Sequence, residues 1–535
     1  MVINIVNQNN NSTNASTNTS TFLTVFSVAG ITAVVRLLTV FSMQLYMARY
    51  GATDPKLNIF SYALMLPNTV FTSVGTVLTT AVVPIYAALI AKKSEMQAKK
   101  FLDDIISISS LFILALVLIG TFAAPFLAGI AVQDSPELVE YAIFSIRVLM
   151  PVMFAYGLSF IFQGILQSHG KFKLVAAVSA PTAIITIAYL FLWGDRFGVT
   201  GLLYATLIGL VSQAALLLPA VLKTGYRFKL SFDFKSDHIK ACGRLVLPVL
   251  LGVGAYQINT LYNSTVAMRL ESTTIIHFVQ NIVIMSVLTF VFSIAAVYFP
   301  RFSVLWDSDD IVGFKKSLSD VMSVLIFLLL PMSFGFIAVR FNLLNLLTYH
   351  GQVTMDEVLI SANLLALYSI GILALGFKEV FDRAFYAQKN AKISGRVGVL
   401  IMGLNVALNL ALIQFFGVYS LPLSFAISAS IGTATLVFIM RRKLETFGGG
   451  TSALVLRCFI ASVCMFAVLA VFIPFFDGFF DNSIADRFIR LFVPVLAGVA
   501  VYFGVAAMIG VKQARIPFVF GHNQVRKIIL KFKRS

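Results

Sequence analysis

Residues 99–107 read KKFLDDIIS and residues 315–323 read KKSLSDVMS, so two lysines, a leucine, an aspartate and a serine recur at an offset of 216 residues. Pro84 and Pro300 precede the two copies at the same offset. Both copies stand in sequence that is otherwise almost continuously apolar. The chain therefore contains two copies of one unit of roughly 200 residues.

A second repeat lies further along, where Phe197-Gly198-Val199 matches Phe416-Gly417-Val418 at an offset of 219 residues. Repeated membrane units are typical of transporters, in which two helix bundles move against each other around a site between them. Six predicted spans separate the copies, and an even number gives both copies the same orientation in the membrane.

The composition makes the lipid bilayer the main solvent of this chain. Hydrophobic residues are 59% and charged residues 12% of the 535, and the mean hydropathy is +0.91. A soluble domain has about 45–50% apolar and about 25% charged residues. Stretches of about 20 apolar residues can cross the hydrocarbon. Fourteen are predicted, at residues 22–47, 57–91, 105–131, 138–168, 174–194, 198–222, 245–267, 273–299, 319–347, 358–381, 394–416, 419–440, 453–476 and 488–510.

The charge distribution predicts the topology. When both termini are placed inside the cell, 30 of the 40 lysines and arginines fall in cytoplasmic segments, as expected from the excess of Lys and Arg in short cytoplasmic loops. The opposite loops carry acids: Asp134, Glu137, Glu140, Asp356, Glu357, Asp477, Asp481 and Asp486. The topology also accounts for the net charge of +17, so we expect no nucleic-acid partner.

The predicted protein is an all-α polytopic membrane protein with six parts. They are a disordered cytoplasmic tail (1–21), an N-terminal lobe of six spans (22–222), a cytoplasmic inter-lobe loop (223–244), a C-terminal lobe of six spans (245–441), two further helices (453–510) and a basic cytoplasmic tail (511–535).

The chain lacks the motifs of common catalytic and metal sites. Its five histidines are scattered, its three cysteines have no paired spacing, and no hydrolase, nucleotide or zinc motif occurs. We therefore expect no enzyme activity, metal or cofactor. The functional candidates are polar groups within the spans, which are costly in a bilayer.

Arg36 is the clearest candidate. It lies in the middle of the first predicted span, too far from either surface for easy snorkelling. We favour a water-filled cavity or a bound anion as its surroundings. The alternative is a pair with a carboxylate, for which Glu379 is the one obvious partner near the centre of a span.

Lys378 and Glu379 in the tenth span have two interpretations. Asp382 and Arg383 follow four residues later, so i,i+4 ion pairs could mark the point where the helix leaves the membrane. Alternatively, Lys378 faces the cavity.

Amide side chains occur in several spans and also allow two interpretations, which are hydrogen bonding between helices and lining of the cavity. They are Asn68, Gln257, Asn259, Asn263, Gln280, Asn281, Asn405 and Asn409.

Three sets of motifs over residues 22–441 resemble the MurJ/MviN lipid II flippase family of the MOP exporter superfamily. They are Gly51-Ala52-Thr53 with Leu66-Pro67-Asn68 and Ala81-Val82-Val83-Pro84, then Arg383-Ala384-Phe385-Tyr386-Ala387, and Phe416-Gly417-Val418 with Leu421 and Ser424.

The resemblance implies a MATE-like fold, with two six-helix lobes in a V around a central cavity and two C-terminal helices that form a groove for a lipid tail. It implies a flippase that moves lipid II, the undecaprenyl-pyrophosphate-linked peptidoglycan precursor, from the inner to the outer leaflet of the bacterial inner membrane by alternating access. Lipid II and membrane lipid are the implied partners, and we expect the monomer to be functional. No ATP site is present, so we expect energy from the membrane potential or a coupling ion.

The chain departs from the family at several cavity positions. Where relatives usually have further charged residues, this chain has Ser42, Met43, Phe71 and Asn281, and only Arg36 of the cavity arginines is kept. A guanidinium can bind a diphosphate through paired hydrogen bonds. The candidate substrate-binding residues are Arg36, Asn68, Asn281, Gln257, Asn263, Ser42, Phe71 and Lys378.

Three alternatives stay open. The chain could be a flippase for another polyprenyl-linked oligosaccharide, such as an exopolysaccharide or O-antigen unit. It could be a MATE-like antiporter, which would need buried carboxylates in a lobe that the sequence does not indicate. The missing arginines also suggest a transport-inactive scaffold in a wall-synthesis complex.

Overall fold

The computed structural model describes residues 14–69, 85–86, 89, 95–132, 135–445, 451–479 and 483–515. Within these ranges the regular elements are all helical. Phe71 and Pro84, which the sequence singled out, lie outside the described residues.

Seventeen α-helices follow one another through the described ranges. They are α1 (Asn14–Tyr50), α2 (55–69), α3 (Glu95–Ala131), α4 (Pro136–Leu149), α5 (Val152–Ser168), α6 (Phe172–Ala176), α7 (Ala180–Leu192), α8 (Gly194–Leu222), α9 (Asp237–Arg269), α10 (Thr273–Asp307), α11 (Ile311–Thr348), α12 (Met355–Ile370), α13 (Ile372–Ala387), α14 (Ala391–Phe416), α15 (Ser420–Lys443), α16 (Thr451–Asp477) and α17 (Ile484–Met508).

The chain divides into two compact units. Unit 1 contains Met1–Tyr50 and Pro55–Gln257, and unit 2 contains Gly51–Asp54 and Ile258–Ser535.

The repeat found in the sequence is a repeat of structure. Helix α11 begins 216 residues after α3, and the two helices have almost the same length. Each is followed by a helix pair that is broken near its middle, at Met150-Pro151 between α4 and α5 and at Gly371 between α12 and α13.

The glycines of the second repeat share an unusual backbone conformation. Gly198 has φ 55° and ψ −149°, and Gly417 has φ 51° and ψ −128°. Residues other than glycine rarely adopt a positive φ, because their Cβ atom clashes with the backbone. The short motif therefore repeats because each unit makes the same bend at this point.

The last two long helices of unit 2 pack on α11. Ile326 of α11, Cys458 and Met465 of α16, and Tyr502 of α17 belong to one buried cluster. The Tyr502 hydroxyl donates to the Phe327 carbonyl at 2.8 Å, so the polar end of this buried ring is satisfied.

Several helices extend beyond the apolar spans that the sequence predicts. Helix α1 begins at Asn14, inside the predicted tail 1–21, and α9 begins at Asp237, inside the predicted loop 223–244. Hydropathy marks where the bilayer begins, whereas caps mark where a helix begins. At α11 the Asp310 side chain caps the Gly313 amide, several residues before the apolar run.

In the described part of the chain, nine helical stretches are long and apolar enough to cross a membrane, or ten if the bent pair of α12 and α13 counts as one span. The protein is thus a multi-pass membrane protein, and the total of fourteen spans stays a prediction. Many large apolar side chains point outward, among them Phe122 at 79% and Phe126 at 69% exposure, which suits contact with lipid.

Candidate functional site

Arg36 lies on an exposed face of α1, beside Val34 and Leu37, which are also exposed. Within the described ranges, no hydrogen bond or ion pair engages its guanidinium. The predicted alternative of a carboxylate partner therefore finds no support there. Arg36 precedes the end of α1 at Tyr50 by 14 residues, or about 21 Å at the helical rise of about 1.5 Å per residue.

The other candidates of unit 1 differ in exposure. Ser42 is buried, and its hydroxyl donates to the Thr39 carbonyl of its own helix at 2.7 Å. Asn68 is exposed near the end of the described part of α2, and Gln257 is half-buried in α9. The Ser42 hydroxyl is thus used within its own helix.

Three asparagines form a hydrogen-bonded cluster in unit 2, which we call the asparagine triad: Asn263 of α9 with Asn405 and Asn409 of α14. Asn263 Nδ2 donates to Asn405 Oδ1 at 3.1 Å, and Asn409 Nδ2 donates to Asn263 Oδ1 at 2.7 Å. Asn405 and Asn409 are buried. Asn263 therefore connects two helices, as the first interpretation of the amides predicted.

The triad leaves two polar atoms without a partner. They are the Asn405 Nδ2 donor and the Asn409 Oδ1 acceptor, both buried. Asn405 and Asn409 are among the amides of the spans but not among the predicted substrate-binding residues. Their i,i+4 spacing in α14, matched by Asn259 and Asn263 in α9, was the available signal.

Helix α10 carries two more of the predicted amides. Gln280 Nε2 donates to the Tyr368 hydroxyl of α12 at 2.8 Å. Asn281 Nδ2 donates to the His277 carbonyl one turn earlier at 2.8 Å. Gln280 thus joins two helices, while Asn281 bonds to its own helix.

Lys378 forms the predicted ion pair with Asp382 at 2.6 Å. Asp382 also accepts from the Ser394 hydroxyl at 2.5 Å. The second predicted pair, Glu379 with Arg383, stays a prediction. The Lys378 charge is therefore satisfied within unit 2, as the interpretation of an ion pair where the helix leaves the membrane requires.

Buried carboxylates are present, contrary to the expectation from the sequence. Among the described residues they are Asp103, Asp104, Glu357 and Asp382. Each accepts hydrogen bonds from its own unit, and Glu357 receives bonds at 2.7 Å from the amides of Thr53 and Thr354. These buried carboxylates thus hold loops and neighbouring helices in place within each unit.

Comparison with solved structures gives the fold. The chain is similar to a structure described as "Lipid II flippase MurJ, inward closed conformation", with a TM-score of 0.75 and 22% identity, over 90% of this chain and 98% of that one. It is also similar to an inward-facing multidrug resistance MATE family transporter of the MOP superfamily, with a TM-score of 0.67 and 14% identity, over 78% of this chain and 98% of that one. The predicted MOP/MATE-like fold is confirmed.

Curated relatives extend over most of the chain. A probable lipid II flippase MurJ of Rickettsia prowazekii is 21% identical over 501 residues, which cover 90% of this chain and 97% of the relative. A protein of the same description from Bdellovibrio bacteriovorus is 24% identical over 357 residues, covering 66% and 68%.

The family model described as "Lipid II flippase MurJ" matches residues 47–494, a stretch that contains most of both units. The motifs that carried the resemblance after α1 all fall within it. The repeated helices, the paired glycine bends and this match agree, and the chain belongs to the MurJ family.

Proposed function

We propose that this protein moves lipid II from the inner to the outer leaflet of the bacterial inner membrane by alternating access of its two units. Membership of the MurJ family is the observation that carries the proposal, and the relatives are described as lipid II flippases. The cargo is an amphiphile whose polyprenyl tail stays in lipid while its diphosphate and sugars cross.

Arg36 is the proposed contact of the diphosphate. A diphosphate loses most of its hydration on entering a membrane cavity, and a guanidinium replaces that hydration with two parallel hydrogen bonds. Arg36 is exposed and has no ion pair within the described ranges, so its charge is available to a ligand. Lys378, by contrast, already pairs with Asp382.

Two other polar residues of unit 1, Asn68 and Gln257, have secondary roles in the proposal. Asn68 and Gln257 present amides that can bond to sugar hydroxyls or phosphate oxygens without a charge of their own. The resemblance implies that Ser42 and Phe71 stand where the family usually has arginine, so we expect weaker binding of the headgroup than in a typical family member.

The test is complementation of a MurJ-depleted bacterium. We expect growth with the wild type and with Arg147→Ala, a matched control that removes another exposed arginine of unit 1. We expect no growth with Arg36→Ala and partial growth with Arg36→Lys, which keeps the charge without the planar fork. Expression and membrane insertion of each variant are measured by immunoblotting of membrane fractions.

Two results would contradict the proposal. Failure of a well-inserted wild type would exclude lipid II as the cargo and favour another polyprenyl-linked glycan or a scaffold role. Full growth with Arg36→Ala would exclude Arg36 as an essential anion contact.

A further inference from the structure

The segment between α8 and α9, residues 226–235, is attached to one face of α3 within unit 1; we call it the linker segment. The Tyr226 hydroxyl donates to Asp103 at 2.8 Å. Three alternate amides also donate to α3 side chains: Lys229 to Asp103 at 2.8 Å, Ser231 to the Ser107 hydroxyl at 3.1 Å and Asp233 to Asp104 at 3.2 Å. The segment is thus held in an extended conformation along the helix up to Asp233, and a turn follows at Phe234 and Lys235.

The alternate side chains of the linker segment are large, apolar and exposed. Phe228 is 50% exposed, Leu230 72%, Phe232 47% and Phe234 56%. Side chains of an extended chain alternate between two sides, so attachment through the odd-numbered residues leaves Phe228, Leu230 and Phe232 together. Phe234 is exposed in the turn that follows. Such a row is costly in water, at about 25 cal/mol per Å² of apolar surface.

The attachment points lie at the depth where a membrane surface is expected. Asp103, Asp104 and Ser107 follow the charged first turns of α3, which contain Lys99 and Lys100, and they coincide with the start of the apolar run at Ile105. The linker segment therefore runs at the boundary between water and hydrocarbon.

The charges of the linker segment are mainly positive. Arg227, Lys229 and Lys235 are exposed. The single acid, Asp233, pairs with Lys100 at 2.8 Å, and the hydrogen bond from Lys100 lowers the pKa of Asp233 below its ordinary value of 3.8. Aromatic side chains with flanking basic residues favour the interface of a membrane that contains anionic lipid.

We propose that the linker segment is a membrane-surface anchor, in which Phe228, Leu230, Phe232 and Phe234 insert into the interfacial region of the leaflet while Arg227, Lys229 and Lys235 contact anionic phospholipid headgroups. The attachment to α3 fixes the depth of the anchor. Anchoring is a property of unit 1 and does not require lipid II to be the cargo.

Fluorescence quenching in lipid nanodiscs tests this proposal on the full-length protein. Trp193 and Trp306, the two native tryptophans, are replaced by Phe, and Phe232→Trp supplies a single probe. The nanodiscs contain phosphatidylglycerol and a phospholipid brominated near the glycerol end of its acyl chains. Met96→Trp in the same background is the matched control, because Met96 is 85% exposed in the first turn of α3, on the charged side of the boundary.

We expect quenching of the Phe232→Trp variant to exceed that of the Met96→Trp variant at least twofold. Replacing phosphatidylglycerol by phosphatidylcholine should reduce this quenching, and the triple change Arg227→Ala, Lys229→Ala, Lys235→Ala should remove the dependence on anionic lipid. Equal quenching of the two variants would overturn the anchor. Quenching without dependence on anionic lipid would overturn the role of the basic residues.

Discussion

At the scale of single residues, Arg36 and the asparagine triad represent two uses of polarity inside a membrane protein. Arg36 is an exposed charged residue, whereas the three amides of the triad form hydrogen bonds with one another. The sequence predicted both as polar residues within apolar spans. The sequence alone could not distinguish the exposed arginine from the hydrogen-bonded asparagines, because exposure and hydrogen-bond partners depend on neighbours that are distant in the chain.

The triad leads to a stability prediction. Asn409→Ala removes the bond to Asn263 and leaves the Asn263 oxygen without that donor, so we expect a loss of about 1 kcal/mol, the usual order for interhelical hydrogen bonds in membrane proteins. The measurement is reversible unfolding in detergent, followed by circular dichroism. Because the two residues are in contact, the Asn263→Ala, Asn409→Ala double change should cost less than the two single changes together. Strict additivity would show that the bond adds no stability.

At the scale of elements, the sequence predicted helices better than their ends and connections. Hydropathy along the chain is sufficient to locate α3 and α11, and the repeat of residues 99–107 pairs them. The attachment of the linker segment was not predictable, although Asp104 and Ser107 were noted as repeated residues. Its hydrogen bonds join α3 to residues more than 120 positions away, and no local pattern encodes such a contact.

The paired bends at Gly198 and Gly417 give a prediction for these elements. Alanine at either position must adopt a positive φ, which costs on the order of 1–3 kcal/mol. We therefore expect Gly198→Ala and Gly417→Ala each to lower the unfolding temperature measured by differential scanning fluorimetry.

Gly403→Ala is the matched control for the bends. Gly403 lies inside α14, with open space where a Cβ atom would stand and without a positive φ, so alanine should be neutral or stabilising there. If all three variants unfold at the same temperature, the bends do not depend on glycine.

At the scale of the whole molecule, the sequence was sufficient for the class of fold and the family. Both depend on features spread over hundreds of residues, which are the apolar spans, the internal repeat and the motifs within residues 47–494. The proposed cargo contacts depend on a few side chains, whose exposure and hydrogen-bond partners no span pattern encodes. Only the structure shows that Ser42 and Asn281 each donate a hydrogen bond to a carbonyl of their own helix.

The membrane topology is tested by labelling with a maleimide that does not cross membranes. With both termini inside, Met355→Cys should react when the reagent is added to intact spheroplasts, and Met96→Cys should react only after the membrane is opened. Both positions are exposed at the beginning of a helix. The reverse pattern would invert the predicted orientation.

The native cysteines set the background of this labelling. Cys242 is buried, and its burial raises the pKa of the thiol to about 11. Because the thiolate is the reactive form, Cys242 should label slowly at neutral pH. Cys458 is also buried, whereas Cys464 is half-buried and is best replaced by serine.

The exposed guanidinium of Arg36 has an electrical consequence. An arginine keeps its positive charge at every physiological pH, and within the described ranges no acid pairs with Arg36. Each elementary charge that crosses a membrane potential is worth about 2.3 kcal/mol per 100 mV. The voltage therefore acts on the sum of the cargo's charge and that of Arg36, to the extent that the two move together through the field. Removing this arginine should change how steeply transport depends on voltage as well as how tightly the headgroup binds.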